Sequence, residues 1–139
     1  MSVTASNANE QLALDFFTAL STGDLEQLRP FLTDDSVWQP MVKDIPGAGE
    51  YRGNAIIDDF LGPVRGMFNP GDPKVHVSAI FSAGDMVAVE STSTGGLPDG
   101  RRYDNSYAWI FRMKDGKIDR LHEYMDSHYV ARLFGMVEP

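Results

Sequence analysis

Tyr103-Asp104-Asn105-Ser106-Tyr107-Ala108-Trp109-Ile110-Phe111, followed by Lys114-Asp115-Gly116-Lys117-Ile118, carries the most structural information in this chain. Side chains alternate faces along a β-strand. The odd positions Tyr103, Tyr107, Trp109 and Phe111 therefore make one aromatic face, with Asn105 as its polar interruption. The even positions Asp104, Ser106 and Arg112 are mostly polar. The pattern predicts a long half-buried strand running into a hairpin, with one amide set among rings. Such a face is a packed sheet surface or the wall of a pocket holding a hydrogen-bonding group.

The turn decides what faces those rings from the next strand. A two-residue loop at Asp115-Gly116 pairs Trp109 with His122 and Asn105 with Asp126. It turns Arg120, His122 and Asp126 towards the rings. A type I turn over Lys114-Asp115-Gly116 with Gly116 in a bulge pairs Tyr107 with Glu123 and Trp109 with Leu121. It turns Leu121 and Met125 inward, with Glu123 as the single acid. Burying several unpaired charges costs more than burying one, which favours the bulged register. Glu123 then lies near Asn105 and Tyr107, and desolvation raises its pKa. A carboxyl of that kind can shuttle a proton near neutral pH. Its alternative reading is a structural acid satisfied by Tyr107 or Asn105. Ser91 and Ser93 alternate with Val87 and Val89 on the preceding strand and are placed to face the same space.

Upstream the period is helical. Met1 to Ala5 read as a frayed tail, and 1–6 as the flexible end of a single domain spanning 1–139. Ser6 or Asn7 caps a helix to about Ser21 with an apolar stripe of Leu12, Phe16, Ala19 and Leu20, flanked by Ala13 and Phe17. Gly23 ends it. Asp24, with Gln27 as capping-box partner, starts a short second helix that Pro30 closes. Ser36 to Met41 read as a strand and Lys43 to Tyr51 as loop. Asn54 caps a third helix through Phe60, which Gly62-Pro63 breaks or bends. Gly66 to Pro73 is loop, in which Gly66–Phe68 covers the core or acts as a lid. Lys74–Ala83, Met86–Thr94, Arg102–Met113 and Lys117–Asp126 read as four long strands, and Ser127 to Phe134 as a terminal helix or turn. Helices followed by an antiparallel meander define an α+β class with helices packed on one face of a curved sheet.

Composition narrows the chemistry. The chain has 139 residues, 42% hydrophobic and 23% charged, as in soluble globular domains. It contains no cysteine, which excludes disulfides, zinc–thiolate sites and thiol nucleophiles. The formal net charge is -8 and the basic residues are scattered, so neither nucleic acid nor an anionic membrane is an expected partner. With no apolar run of spanning length and no signal pattern, the expected location is the cytoplasm. His122 and His128 flank Asp126, but their spacing fits no compact metal motif. There is no nucleophile elbow and no phosphate-cradling glycine loop, so no metal or nucleotide cofactor is expected.

Three helices before a curved meander, Ser21-Thr22-Gly23-Asp24 at the end of the first helix, Tyr51-Arg52-Gly53 leading into the third, and the Lys114–Ile118 turn together resemble the nuclear transport factor 2-like superfamily. Within it the chain resembles the SnoaL-like group, which is similar to ketosteroid isomerases, polyketide cyclases and limonene-epoxide hydrolases. The likeness runs from about Asn9 to Phe134. It implies a cone-shaped α+β barrel, or cystatin-like roll, enclosing a deep apolar cavity and often forming a homodimer. The catalytic base of ketosteroid isomerases would fall at Trp38-Gln39-Pro40, their oxyanion-hole tyrosine at Phe16, and their protonated acid near Ala108, with Asp104 close by; this chain keeps none of them. The water-activating set of limonene-epoxide hydrolases would fall at Ser91, Ser93 and Glu123, with Trp38 and Pro40 where a Tyr and an Asn hold the water. Only the acid is kept, as Glu123.

The leading expectation is a cofactor-free cavity enzyme for a small apolar or aromatic molecule, doing isomerase, cyclase, dehydratase or lyase chemistry. Glu123 is the acid or base. Asn105 and Tyr107, with Ser91, orient the substrate or a water. Phe17, Leu20, Trp38, Ser93, Tyr103, Trp109 and Met125 complete the walls. A non-catalytic ligand-binding or dimerisation module and an epoxide hydrolase with a rebuilt site are the alternatives.

Overall fold

The computed structural model describes residues 3–137. Of the expected tail, residues 1–2 lie outside the described residues. The Ser6 backbone N–H already donates to Glu10 Oε1. Helix α1 spans Ala8–Ser21 and is capped by Asn7, whose side chain accepts from the Glu10 N–H. It buries Ala13, Phe16, Phe17, Ala19 and Leu20 of the expected stripe, while Leu12 is half-buried against the core.

Residues Leu25–Phe31 form a 3-10 turn capped by Asp24, and Pro30 lies inside it instead of ending it. The Asp24 carboxylate accepts from the Glu26 N–H, while the Gln27 side chain reaches the Asp24 side chain and not its N–H, so the capping box is not closed. Strands β1 (Val37–Pro40) and β2 (Tyr51–Arg52) follow. The third helical segment departs furthest from expectation. Asn54 does not cap it; its side chain accepts from Arg29 instead. A π turn, Ile56–Leu61, passes directly into helix α2, Gly62–Arg65, which holds Pro63 in its first turn. A proline there gives up an N–H that has no intrahelical partner anyway, so Gly62-Pro63 restarts the helix where a break was expected.

Strands β3 (Lys74–Ala83), β4 (Met86–Gly96), β5 (Arg102–Lys114) and β6 (Lys117–Met125) build the meander, and α3 (Ser127–Leu133) closes the chain. The six strands form one curved, open sheet in the order β2-β1-β6-β5-β4-β3. All neighbours are antiparallel except β1 and β6, which run parallel. No described helix is long and apolar enough to cross a membrane.

The β5–β6 hairpin corrects both expected registers. Lys114 pairs with Lys117 across Asp115-Gly116, a two-residue turn in which both residues have positive φ, 51° and 73°. That is the twist hairpins prefer. The register then shifts: Met113 pairs with Ile118, but Arg112 pairs with Arg120. Asp119 is thus an extra residue on β6, and beyond it every side chain changes face. Ile118 before the bulge and Leu121 after it are both buried. Trp109 pairs with Glu123 and Tyr107 with Met125, in place of the expected partners. Glu123 nonetheless faces inward with Leu121, while Arg120 and His122 lie on the outer face.

The inner face packs on α1 and the π turn through aromatic rings, all edge-to-face except the tilted Phe16–Trp38 pair. Phe16 meets Trp38 and Phe111, Phe17 meets Trp109 and Phe111, and Trp38 meets Phe60 and Trp109, with centroids 5.0–6.0 Å apart. A second cluster of Phe68, Leu97, Tyr103 and Val130 packs the other end. Between the two lies the cavity.

Candidate active site

Glu123 is 6% exposed, and its Oε1 accepts a 2.8 Å hydrogen bond from Trp38 Nε1. Burial pushes its carboxyl up to about 7; the indole donor and the positive charge of Arg65 pull the other way without cancelling it. A carboxyl poised there is populated in both protonation states at neutral pH. It lines a cavity of about 80 Å³, several times what one water needs. The surrounding wall is apolar apart from a few groups. Leu20, Trp38, Trp109 and Met125 contribute apolar surface, with Phe60, Leu61 and Val64 from the helical segment. Ser93, Tyr103, Tyr107 and Arg65 are its other polar members.

Three residues expected at the site stand behind this lining. Phe17 packs beneath Trp109 in the core. Ser91 is buried and accepts from Trp109 Nε1 at 2.8 Å. Asn105 is buried too. Its Oδ1 accepts from the Ser106 N–H, and its Nδ2 donates to Tyr103 Oη at 2.9 Å and to the Asp126 carbonyl at 3.3 Å. Both polar side chains are therefore engaged with the cavity's aromatic groups and present no free atom of their own. The tyrosines form a pair, Oη to Oη 2.5 Å apart, and Tyr107 stacks on Trp109. Burial pushes Tyr103 up to about 12 and Tyr107 well above the usual phenol range, so both keep their protons at neutral pH.

Arg65 was not anticipated from the sequence. Its Nη2 donates to the Pro73 carbonyl at 2.8 Å and, at 3.4 Å, to that of Gly71. Burial lowers its pKa, while Tyr107, Asp72 and Glu123 act in the opposite sense. Had the helix been carried past Pro63, Arg65 would have fallen one turn beyond Leu61 and on the cavity side. Met67 and Phe68 also line the cavity, so the Gly66–Phe68 segment covers it directly.

An open curved sheet with helices on its inner face, enclosing a largely apolar hollow with one buried acid, defines a nuclear transport factor 2-like protein. The SnoaL-like domain family matches residues 13–121, and the chain belongs to that family. Several solved structures share the fold. TerC co-crystallised with polyporic acid superposes with a TM-score of 0.81 at 21% identity, over 93% of this chain and 99% of that one. A nuclear transport factor 2-like protein of unknown function from Burkholderia pseudomallei gives 0.80 at 17%, over 91% and 97%. A protein from Catenulispora acidiphila with a ketosteroid isomerase-like fold, in complex with trimethylamine, gives 0.76 at 15%, over 91% and 94%.

Proposed function

We propose that this protein is a cytoplasmic, cofactor-free enzyme that moves a proton on a small apolar or aromatic substrate, with Glu123 as the acid–base group. The observation that carries this reading is one buried carboxyl in an apolar cavity, held by an indole N–H; burial pushes it up to about 7. As carboxylate, Glu123 takes a proton from a carbon next to a carbonyl. As acid, it returns that proton at another atom, which isomerises, cyclises or dehydrates the molecule according to the substrate. The Tyr107 hydroxyl donates to the oxygen on which charge develops. Trp109, Trp38, Leu20 and Met125 supply apolar contact. The ligands held by two structures of this fold, polyporic acid and trimethylamine, support a small-molecule cavity.

A substrate need not be known to test this. Aromatic and polyketide-type ketones incubated with the protein in heavy water should exchange their α-protons, read by NMR. Glu123→Gln should lose that exchange while remaining folded. Undiminished exchange by the variant ends the proposal. A second reading, a ligand-binding module without catalysis, is favoured by Ser91 and Asn105, whose polar atoms are taken up within the protein. It predicts binding with no exchange in either protein. The homodimer implied by the family resemblance would use the outer sheet face, where Phe81 is 66% and Tyr124 41% exposed; light scattering of the pure protein decides it.

A further inference from the structure

Arg65 brings to this cavity a positive charge that forms no ion pair within 4.0 Å among the described residues. Its guanidinium has five N–H donors in a fixed fork. Nη2 is spent on the carbonyls of Pro73 and Gly71. Among the described residues Nε and Nη1 donate to no protein acceptor, and no carboxylate lies within 4.0 Å of the group. Asp72, on the same loop, turns its Oδ2 to the Gly96 N–H at 2.9 Å. A half-buried cation is costly to hold unpaired. The backbone carbonyls relieve part of that cost and also fix the fork in place. Glu123, Tyr107 and Arg65 line one cavity. That set offers an acidic oxygen a cation, a phenol donor and an apolar wall.

We propose that the cavity selects ligands carrying an acidic oxygen, a carboxylate or an ionised enol or phenol, and that Arg65 is the residue that selects them. This rests on the cavity being a ligand site and adds the chemical class of what it takes. The competing account gives Arg65 only the task of pinning the Gly71–Pro73 backbone. In that case its charge is incidental, and ligand charge does not matter.

Benzoate and its neutral isostere benzamide separate the two accounts when each is titrated into the protein and followed by NMR. At about pH 6, where Glu123 is mostly neutral, benzoate should bind about tenfold or more tightly than benzamide. Added salt should narrow the gap. Arg65→Gln should abolish the preference by weakening benzoate while benzamide affinity holds, and Arg65→Lys should keep part of it. Wild-type protein that binds the two alike, or binds neither, overturns the proposal without recourse to any variant. So does a folded Arg65→Gln protein that still prefers benzoate. Glu123→Gln should keep the preference. A variant that keeps both the preference and α-proton exchange would sink the acid–base reading and leave this one standing.

Discussion

Trp38 on β1 holds Glu123 on β6 by a single indole hydrogen bond, Nε1 to Oε1 at 2.8 Å. Directly opposite Glu123 in the parallel pairing stands Pro40, which has no N–H to offer. The donor comes from Trp38, two positions earlier on the same inward face. Opposing effects meet at this carboxyl. The apolar surroundings favour the acid, and the indole, with a smaller contribution from Arg65, favours the carboxylate. Burial is the larger, and the carboxyl comes to rest at about 7.

Trp38→Phe removes the larger of the two effects that favour the charged form and leaves the charge of Arg65. The Glu123 pKa should therefore climb above about 7. Carboxyl carbon NMR of protein labelled at glutamate follows this directly. The optimum of any base-dependent exchange should move to higher pH in step. A Glu123 that titrates lower in the variant than in the wild type would show that the indole is not what stabilises the carboxylate.

Glu123 also predicts how stability follows pH. Its carboxyl rises from an ordinary 4.5 to about 7 on folding, so between those values the native state binds the proton more tightly than the unfolded chain. The stability this proton confers is present in full below about pH 4.5 and is lost as pH rises through about 7. The difference corresponds to roughly 3 kcal/mol. Glu123→Gln carries no such charge. From pH 5 to pH 8 its stability should gain on the wild type by an amount of that order, in paired urea unfolding curves. Parallel pH profiles for the two proteins would mean that Glu123 is not buried as described.

How far the sequence reveals this site depends on which interaction decides each position. The inward face of β5 was legible because alternation is a local rule, and Tyr103, Asn105, Trp109 and Phe111 obey it. The register of β6 was not. A tight turn at Asp115-Gly116, by itself, would place Glu123 on the outer face. The Asp119 bulge then reverses the assignment, and nothing local in Lys117-Ile118-Asp119-Arg120 announces it. What selects the bulge is the whole inner face, which accepts Leu121 and Glu123 more readily than Arg120 and His122. The same limit hid Arg65. Gly62-Pro63 reads as a stop by local rules, yet the preceding π turn lets the proline enter as the first turn of a new helix. Asn105 and Ser91 were correctly placed inside, but their bonding to Tyr103 and Trp109 depends on contacts that residue type alone does not specify.

The loop that positions Arg65 is held by close packing against Gly95. A Cβ at Gly95 would lie 2.9 Å from Asp72 Cβ and 3.0 Å from Pro73 Cα. Gly95→Ala must push this loop away from β4, which should cost about 1–3 kcal/mol of stability. It should also displace the Pro73 carbonyl that holds Arg65, so the benzoate preference should weaken along with the urea midpoint. An unchanged midpoint would show that the loop yields freely and does not fix the guanidinium.

Tyr107 is the remaining donor at the cavity, and a chain of hydrogen bonds stands behind it. Because Asn105 Oδ1 accepts from the Ser106 N–H, the amide is fixed with Nδ2 towards Tyr103 Oη. Tyr103 in turn lies 2.5 Å from Tyr107 Oη. Either hydroxyl can donate across this contact; with Tyr103 as donor, an arrangement that donation from Asn105 into Tyr103 favours, the Tyr107 proton is left for a ligand. Tyr107→Phe should therefore slow α-proton exchange about a hundredfold, the scale of losing one donor to a developing oxyanion. Its urea midpoint should move much less than its rate. Asn105→Leu keeps Tyr107 but removes the polarising donor. It should show a smaller loss of rate together with a loss of stability of about 1–3 kcal/mol, because the Asp126 carbonyl and Tyr103 Oη each lose a donor. If Asn105→Leu instead slows exchange as much as Tyr107→Phe does, the proton reaches the substrate from Tyr103 and not from Tyr107. If neither substitution slows exchange, the tyrosine pair belongs to the core alone.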